Sequence, residues 1–233
     1  DIAQILEEYF AAKEPEQEVP VVSEVIDINH TKEYEDLTIH KVNEHTRAYI
    51  KIQDGCNQFC SYCIIPYTRG RIRSKNPEEV IEEVKNLAAQ GYKEIVLTGI
   101  HLSSYGKDLG TVTLLDVIKR IQQVEDVERI RLGSLEPRII TEEFVKELVK
   151  CDKVCPHFHL SLQSGCDQTL KRMNRKYTTE EYEEALNVLR KYYEHPALTT
   201  DVIAGFVGET EEEFEKTRAY LEKINLYEMH IFK

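Results

Sequence analysis

The chain has 233 residues, 41% of them hydrophobic and 31% charged, which places it among globular proteins of one large domain or two small ones. No stretch approaches the ~20 apolar residues that span a bilayer, the opening DIAQILEEYF has no secretory-signal pattern, and six cysteines are too few for a small disulfide scaffold, so a soluble, cytoplasmic protein with no membrane partner is expected. The net charge of −12 speaks against phosphate binding, yet residues 1–46 alone carry −9 of it, and the rest of the chain is close to balanced.

In chain order, residues 1–12 read as an amphipathic helix with Ile2, Ile5, Leu6 and Tyr9 or Phe10 on one face. AAKEPEQEVP (11–20) reads as a linker, and residues 19–46 as an acidic, weakly patterned, extended stretch. From Arg47 the texture changes. Apolar and polar residues alternate from Ala48 to Gln53, a strand that ends at a glycine and a cysteine cluster. Asn76-Pro77 opens a helix that runs towards Gly91, and Thr113, Thr141, Thr179 and Thr210 open four more, most with acids close behind. Between them lie the β-rich runs 94–99, 129–134, 157–162, 199–206 and 227–232. Six strands alternating with five helices predict an α/β fold with a parallel sheet and right-handed crossovers. Each strand is followed by Gly, Ser or polar residues, as at the active face of a (β/α) barrel, so a partial (β/α)6 TIM-like barrel is expected. A doubly wound sheet is the rival, but no GxGxxG follows the first strand.

The sharpest feature is Gly55-Cys56-Asn57-Gln58-Phe59-Cys60-Ser61-Tyr62-Cys63, a C-x3-C-x2-C spacing at the end of the first strand. Thiolates this close on one loop can converge on a soft metal centre. A cubane iron–sulfur cluster normally takes four cysteines, so three leave one iron open to a substrate's amine and carboxylate. A structural zinc needs a fourth ligand, which Cys151, Cys155, Cys166 or a histidine could supply. The spacing favours the open cluster over zinc. Cys151, Cys155 and Cys166 themselves read as buried or incidental thiols, and His157 and His159, alternating on one strand, as hydrogen-bonded core side chains.

The cysteine spacing, with Tyr62 before the third thiol, resembles that of the radical S-adenosylmethionine (SAM) enzymes. The longer string IQDGCNQFCSYCIIPYTRGRIRSKNPEEV (52–80) is similar to the methylthiotransferase family, and within it to the threonylcarbamoyladenosine tRNA methylthiotransferases. LTGIHLSSYG (97–106), RLGSLEP (131–137), HLSLQSG (159–165), LKRMNRKYT (170–178), DVIAGFVGET (201–210) and MHIF (229–232) follow in the family's order. The resemblance implies a barrel of the radical SAM type, with Cys56, Cys60 and Cys63 holding a [4Fe–4S] cluster whose free iron binds S-adenosylmethionine. It implies a 5′-deoxyadenosyl radical that takes hydrogen from carbon-2 of the adenine beside a tRNA anticodon, and a second S-adenosylmethionine that supplies the methyl of the methylthio group. An electron donor such as flavodoxin or ferredoxin is implied as well. A related branch acts on isopentenyladenosine in tRNA, another on a ribosomal-protein side chain; a zinc-stabilised, non-catalytic nucleic-acid-binding module is the reading of another class.

By the same resemblance Glu136 and Gln163 are candidates to hydrogen-bond the cofactor, Tyr62 to pack along its adenine, and Thr98, Gly99 and Ser134 to line its site at strand ends. Glu136 could instead only cap or salt-bridge a rim loop. Arg69, Arg71 and Arg73, in an acid-free island after the cluster loop, are candidate RNA contacts. Arg175, in a second island with Lys171, Arg172 and Lys176, could meet RNA phosphate or the cofactor carboxylate. Family members carry an N-terminal domain with three further cysteines and a second cluster, and a basic C-terminal module. No cysteine precedes Cys56 here. Residues 1–45 are therefore expected to be the remnant of the N-terminal domain plus a linker, and 46–233 a radical SAM core truncated at its C-terminus, a fragment that cleaves the cofactor without completing methylthiolation.

Overall fold

A computed structural model describes residues 2–11, 27–35 and 46–233. A helix α1 (Ile2–Ala11) opens the chain. The linker at 11–20 lies outside the described residues except for Ala11, and so does the acidic stretch at 19–46 except for 27–35 and Thr46. At 27–35 a short 3-10 turn, Ile28–His30, is capped by the Asp27 carboxylate, and the Tyr34 hydroxyl donates to the Lys51 carbonyl at 2.6 Å.

The expected strand forms as β1 (Arg47–Asp54), in which Ala48, Ile50 and Ile52 alternate inward. A one-turn helix α2 (Ile65–Thr68) and a two-residue strand β2 (Arg73–Ser74), antiparallel to β1, follow the cysteines. Next come α3 (Pro77–Ala89), β3 (Glu94–Gly99), α4 (Leu114–Ile121), β4 (Arg129–Leu132) and α5 (Glu142–Leu148). The rest is β5 (His157–His159), α6 (Asp167–Arg172), α7 (Thr179–Tyr192), β6 (Ala197–Ile203), α8 (Glu211–Ile224) and β7 (Glu228–Phe232).

The strands form two sheets, β2-β1-β3-β4 and β5-β6-β7, and every pair but β1–β2 is parallel. Single parallel bridges, Ile130 to Val154 and Leu135 to Leu160, connect the two sheets, so the six parallel strands follow one curved wall. This is the partial (β/α)6 barrel. Helix faces pack on its outside, Val80, Val84 and Leu87 of α3 beside Val117, Ile118 and Ile121 of α4, and Phe158 and Tyr182 are fully buried. Among the described residues no helix is long and apolar enough to cross a membrane.

The capping signals mark the helix starts. Asn76 accepts from Glu78 N, and Thr113 and Thr210 form reciprocal capping boxes with Asp116 and Glu213. One start is corrected by a residue: Thr178, not Thr179, caps α7, because its hydroxyl takes the Glu181 N–H and the Glu181 carboxylate takes its own. The expected strand at 157–162 stops at His159, since beyond it only isolated bridges remain, Leu160 to Leu135 and Gln163 to Val202. The elements without a sequence signal, α2, β2 and α6, all lie around the cysteine loop.

Candidate active site at the strand ends

The cysteine loop starts where β1 turns out of the sheet. Gly55 makes the turn with φ +68, and a Cβ there would sit 1.8 Å from the Arg71 carbonyl oxygen, so only glycine lets the two ends of the loop touch. Cys56 N donates to the Gly70 carbonyl at 3.0 Å and closes the loop's base. Gln53 is buried at the end of β1, and its amide spans the seam. Its Nε2 donates to the carbonyls of Asp54 and Gly55 at 2.6 and 2.8 Å, while its Oε1 accepts from His101 N at 2.7 Å. Asp54, also buried, accepts from Gly55 N at 2.8 Å and from the Lys51 ammonium at 3.0 Å. Burial pushes its carboxyl up, but Lys51, the Gly55 N–H and Arg69 outweigh that and hold it below its usual value.

The far side of the loop is held by the end of α6. Ser61 N donates to the Met173 carbonyl at 3.0 Å, Ser61 Oγ to the Arg172 carbonyl at 2.8 Å, and Asn174 Nδ2 to the Phe59 carbonyl at 2.7 Å. The island read as a basic patch is thus divided. Arg172 pairs with Glu213 at 2.5 Å on the outside, while Arg175 turns inward and donates from Nη1 to Cys60 Sγ at 3.2 Å and from Nε to the Tyr177 hydroxyl at 2.8 Å.

Cys56, Cys60 and Cys63 all line one cavity of about 140 Å³, together with Gln58, Tyr62, Ile100, His101, Ser134, Glu136, Ser161 and Arg175. It opens at the C-terminal ends of the strands, where a barrel gathers its chemistry. Burial pushes the Cys56 thiol up, the Gln58 N–H pulls it down, and the Cys60 and Cys63 sulfurs raise it further against Arg175. Burial likewise holds the His101 imidazole down to about 4, with Lys107, Arg175 and Arg138 adding to the effect, so His101 is neutral at pH 7.

Of the residues singled out in the sequence, Tyr62, Ser134, Glu136 and Arg175 stand with the three cysteines round this cavity. Ser134 Oγ lies 2.9 Å from Ser161 Oγ, the buried Glu136 carboxylate accepts from Arg138 Nε at 2.5 Å, and the Tyr62 ring meets Phe206 edge-on. Thr98, Gly99 and Gln163 do not line it. The Thr98 hydroxyl donates to the Ile50 carbonyl at 3.1 Å, Gly99 packs on Gln53, and Gln163 sits at φ 74 with its backbone bridged to β6. Arg69 and Arg71 are exposed, with Arg71 over the Phe59 ring; Arg73 is buried, 3.8 Å from Asp54, so it is turned away from any surface partner. Gln58, His101 and Ser161 line the cavity without having been singled out. His101 and Ser161 lie inside the family-like strings 97–106 and 159–165, which were their only signal.

The donor set fits an iron–sulfur cluster better than zinc. Among the described residues no three His, Cys, Asp or Glu side chains are arranged to hold a single metal ion. Cys151, Cys155 and Cys166 lie away from the cavity, and both His101 nitrogens are engaged, Nδ1 with Ser104 Oγ and Nε2 with Gln58. Three soft thiols lining one cavity match a polynuclear cluster with one open corner. A family model described as the radical SAM superfamily matches residues 50–221. The chain belongs to that superfamily. Its cofactors are a [4Fe–4S] cluster and S-adenosylmethionine.

Within it the chain is 44% identical over 212 residues to the threonylcarbamoyladenosine tRNA methylthiotransferase MtaB of Bacillus subtilis, covering 91% of this chain and 47% of that protein. It is 42% identical over 191 residues to the tRNA-2-methylthio-N(6)-dimethylallyladenosine synthase of Clostridium botulinum, covering 82% of this chain and 42% of that protein. The chain thus spans about half the length of these radical SAM relatives. Among solved structures, the radical SAM methyltransferase TsrM of Kitasatospora setae, with cobalamin and a [4Fe–4S] cluster bound, superposes with a TM-score of 0.66 at 18% identity, over 80% of this chain and 36% of that one. At that identity the likeness is one of fold.

Proposed function

We propose that this chain is the radical SAM core of a tRNA methylthiotransferase, which adds a methylthio group to carbon-2 of N6-threonylcarbamoyladenosine next to the anticodon. The observation that carries the reading is the single cavity that gathers Cys56, Cys60, Cys63, Glu136 and Arg175 at the strand ends. Relatives that act on tRNA are similar over most of the chain, and the threonylcarbamoyladenosine enzyme covers more of it than the dimethylallyladenosine one. When bound, the cluster and S-adenosylmethionine supply the one-electron chemistry that activates an unreactive C–H bond.

The chain's own residues position that chemistry. The three thiols ligate, and Arg175 holds a positive charge against the sulfur side of the cavity. Glu136 and Tyr62 line the same space, as hydrogen-bond acceptor and stacking surface for the cofactor, and Ser134 lines it with them. Thr98, Gly99 and Gln163 support that site from the strand ends rather than from its wall. Arg69 and Arg71 meet RNA phosphate outside the mouth. Residues 1–45 belong to a preceding methylthiotransferase domain and its linker, 46–233 are the core, and the parent protein carries the second cluster and takes electrons from a flavodoxin- or ferredoxin-type donor.

The test is anaerobic reconstitution with iron and sulfide, reduction, and EPR with and without S-adenosylmethionine. A reduced [4Fe–4S] signal that changes when the cofactor is added is expected. Stoichiometric zinc with no cluster would overturn the reading.

A further inference from the structure

A second cavity, of about 380 Å³, adjoins the cluster cavity and shares Glu136 with it. Ser103, Lys107, Arg138, Ile139 and Thr141 complete its lining. Two of these are cations, in a chain whose net charge is −12. Glu136 Oε1 accepts from Arg138 Nε at 2.5 Å, which pins the guanidinium to the wall and leaves its outer nitrogens without a partner among the described residues. Lys107 is exposed, and its ammonium has no carboxylate partner among the described residues.

The hydroxyls have the same polarity. Ser103 Oγ accepts from Glu136 N at 2.8 Å, and Thr141 Oγ1 accepts from Phe144 N at 3.2 Å. Each hydroxyl accepts one backbone N–H and keeps its own proton available to donate. The Glu136 carboxylate offsets one of the two cations, so the lining keeps a net positive charge beside two hydroxyl donors, and that favours an anion. A hydrocarbon placed there would strip water from these groups and return no hydrogen bonds. The larger and more apolar cavity next to it, about 700 Å³ between α4 and α5, shares no lining residue with the cluster cavity.

We propose that the Lys107–Arg138 cavity is the subsite for a carboxylate carried by the N6 substituent of the target base. Resting on the tRNA methylthiotransferase reading, this separates two substrates that similarity leaves together. A threonylcarbamoyl group ends in a free carboxylate, whereas a dimethylallyl group is a neutral hydrocarbon. With Glu136 common to both cavities, the substituent occupies one while the adenine faces the other.

The test uses the full-length, cluster-reconstituted enzyme and three forms of one tRNA: unmodified at the target adenosine, with threonylcarbamoyladenosine there, and with dimethylallyladenosine there. Lys107→Glu should raise KM for the threonylcarbamoyl tRNA on the order of tenfold or more, the scale of one charge-assisted hydrogen bond. Lys107→Arg should restore most of it. Binding of the unmodified tRNA, and cofactor cleavage without tRNA, should not change. Equal weakening of modified and unmodified tRNA would assign the cations to backbone phosphate and overturn the subsite, as would an unchanged KM. A wild-type enzyme that prefers the dimethylallyl tRNA overturns the subsite and the threonylcarbamoyl substrate, but leaves the tRNA methylthiotransferase activity. One that cleaves the cofactor yet turns over no tRNA overturns both.

Discussion

Gly55 and Gly91 both adopt positive φ, +68 and +95, but their surroundings differ. A Cβ at Gly91 would meet nothing within 4 Å, whereas one at Gly55 would strike the Arg71 carbonyl. Gly91→Ala is therefore expected to cost about 1 kcal/mol from the backbone alone. Gly55→Ala should cost clearly more, because the loop must open to admit the methyl group. Urea unfolding of both variants, with iron per chain after reconstitution, checks this: Gly55→Ala should lose stability and iron together, and Gly91→Ala should keep its iron. At this scale the three cysteines were legible from spacing alone. Gln53, which ties the loop to His101, and Asn174, which holds it from α6, were not, because a lone amide has no period or motif that marks it.

Among the elements, α7 begins with a capping box built on Thr178, with Thr179 as its first helical residue. Thr178→Ala should lower stability by about 1 kcal/mol, seen as a lower urea midpoint, while Thr179→Ala should have a much smaller effect. The equal-looking pair Thr178-Thr179 shows why boundaries drift by a residue in a sequence reading: both are good caps, and only Glu181 three residues on selects the first. Long elements with periodic faces, such as α3 and β1, were readable. The four-residue α2, two-residue β2 and six-residue α6 were not, since they are too short for a period and are held by contacts to the cysteine loop and to β1.

Across the molecule, Glu94 at the start of β3 gathers cations from the neighbouring strands: Arg47 of β1 at 3.6 Å, and Arg129 and Arg131 of β4 at 3.0 and 2.9 Å. Burial pushes its carboxyl up, but Arg131 and Arg129 prevail and hold it below its usual value. A carboxyl whose pKa is lowered on folding adds stability above its unfolded pKa of about 4.3, and that stability is lost as pH falls through the folded value. Glu94→Gln should therefore be less stable than wild type at pH 7, and the gap should narrow below about pH 4. Denaturant midpoints from pH 7 to 3 measure it, and a gap that stays constant would sink the assignment.

The sequence by itself determined the alternation of strands and helices, the caps that start the helices and the three thiols on one loop, because period, capping chemistry and spacing are local properties of the chain. Only the tertiary structure decided which charges share a space. Arg172 and Arg175 are three residues apart in one basic island, yet α6 ends between them, and one pairs with Glu213 outside while the other reaches Cys60. Arg71 and Arg73 divide in the same way, because β2 carries the second under Asp54. Lys107 and Arg138, thirty-one positions apart, come to one cavity because the loops after β3 and β4 meet at the same end of the barrel. Which charge lies inside and which outside depends on the closing of the sheet, and that is a property of every strand at once.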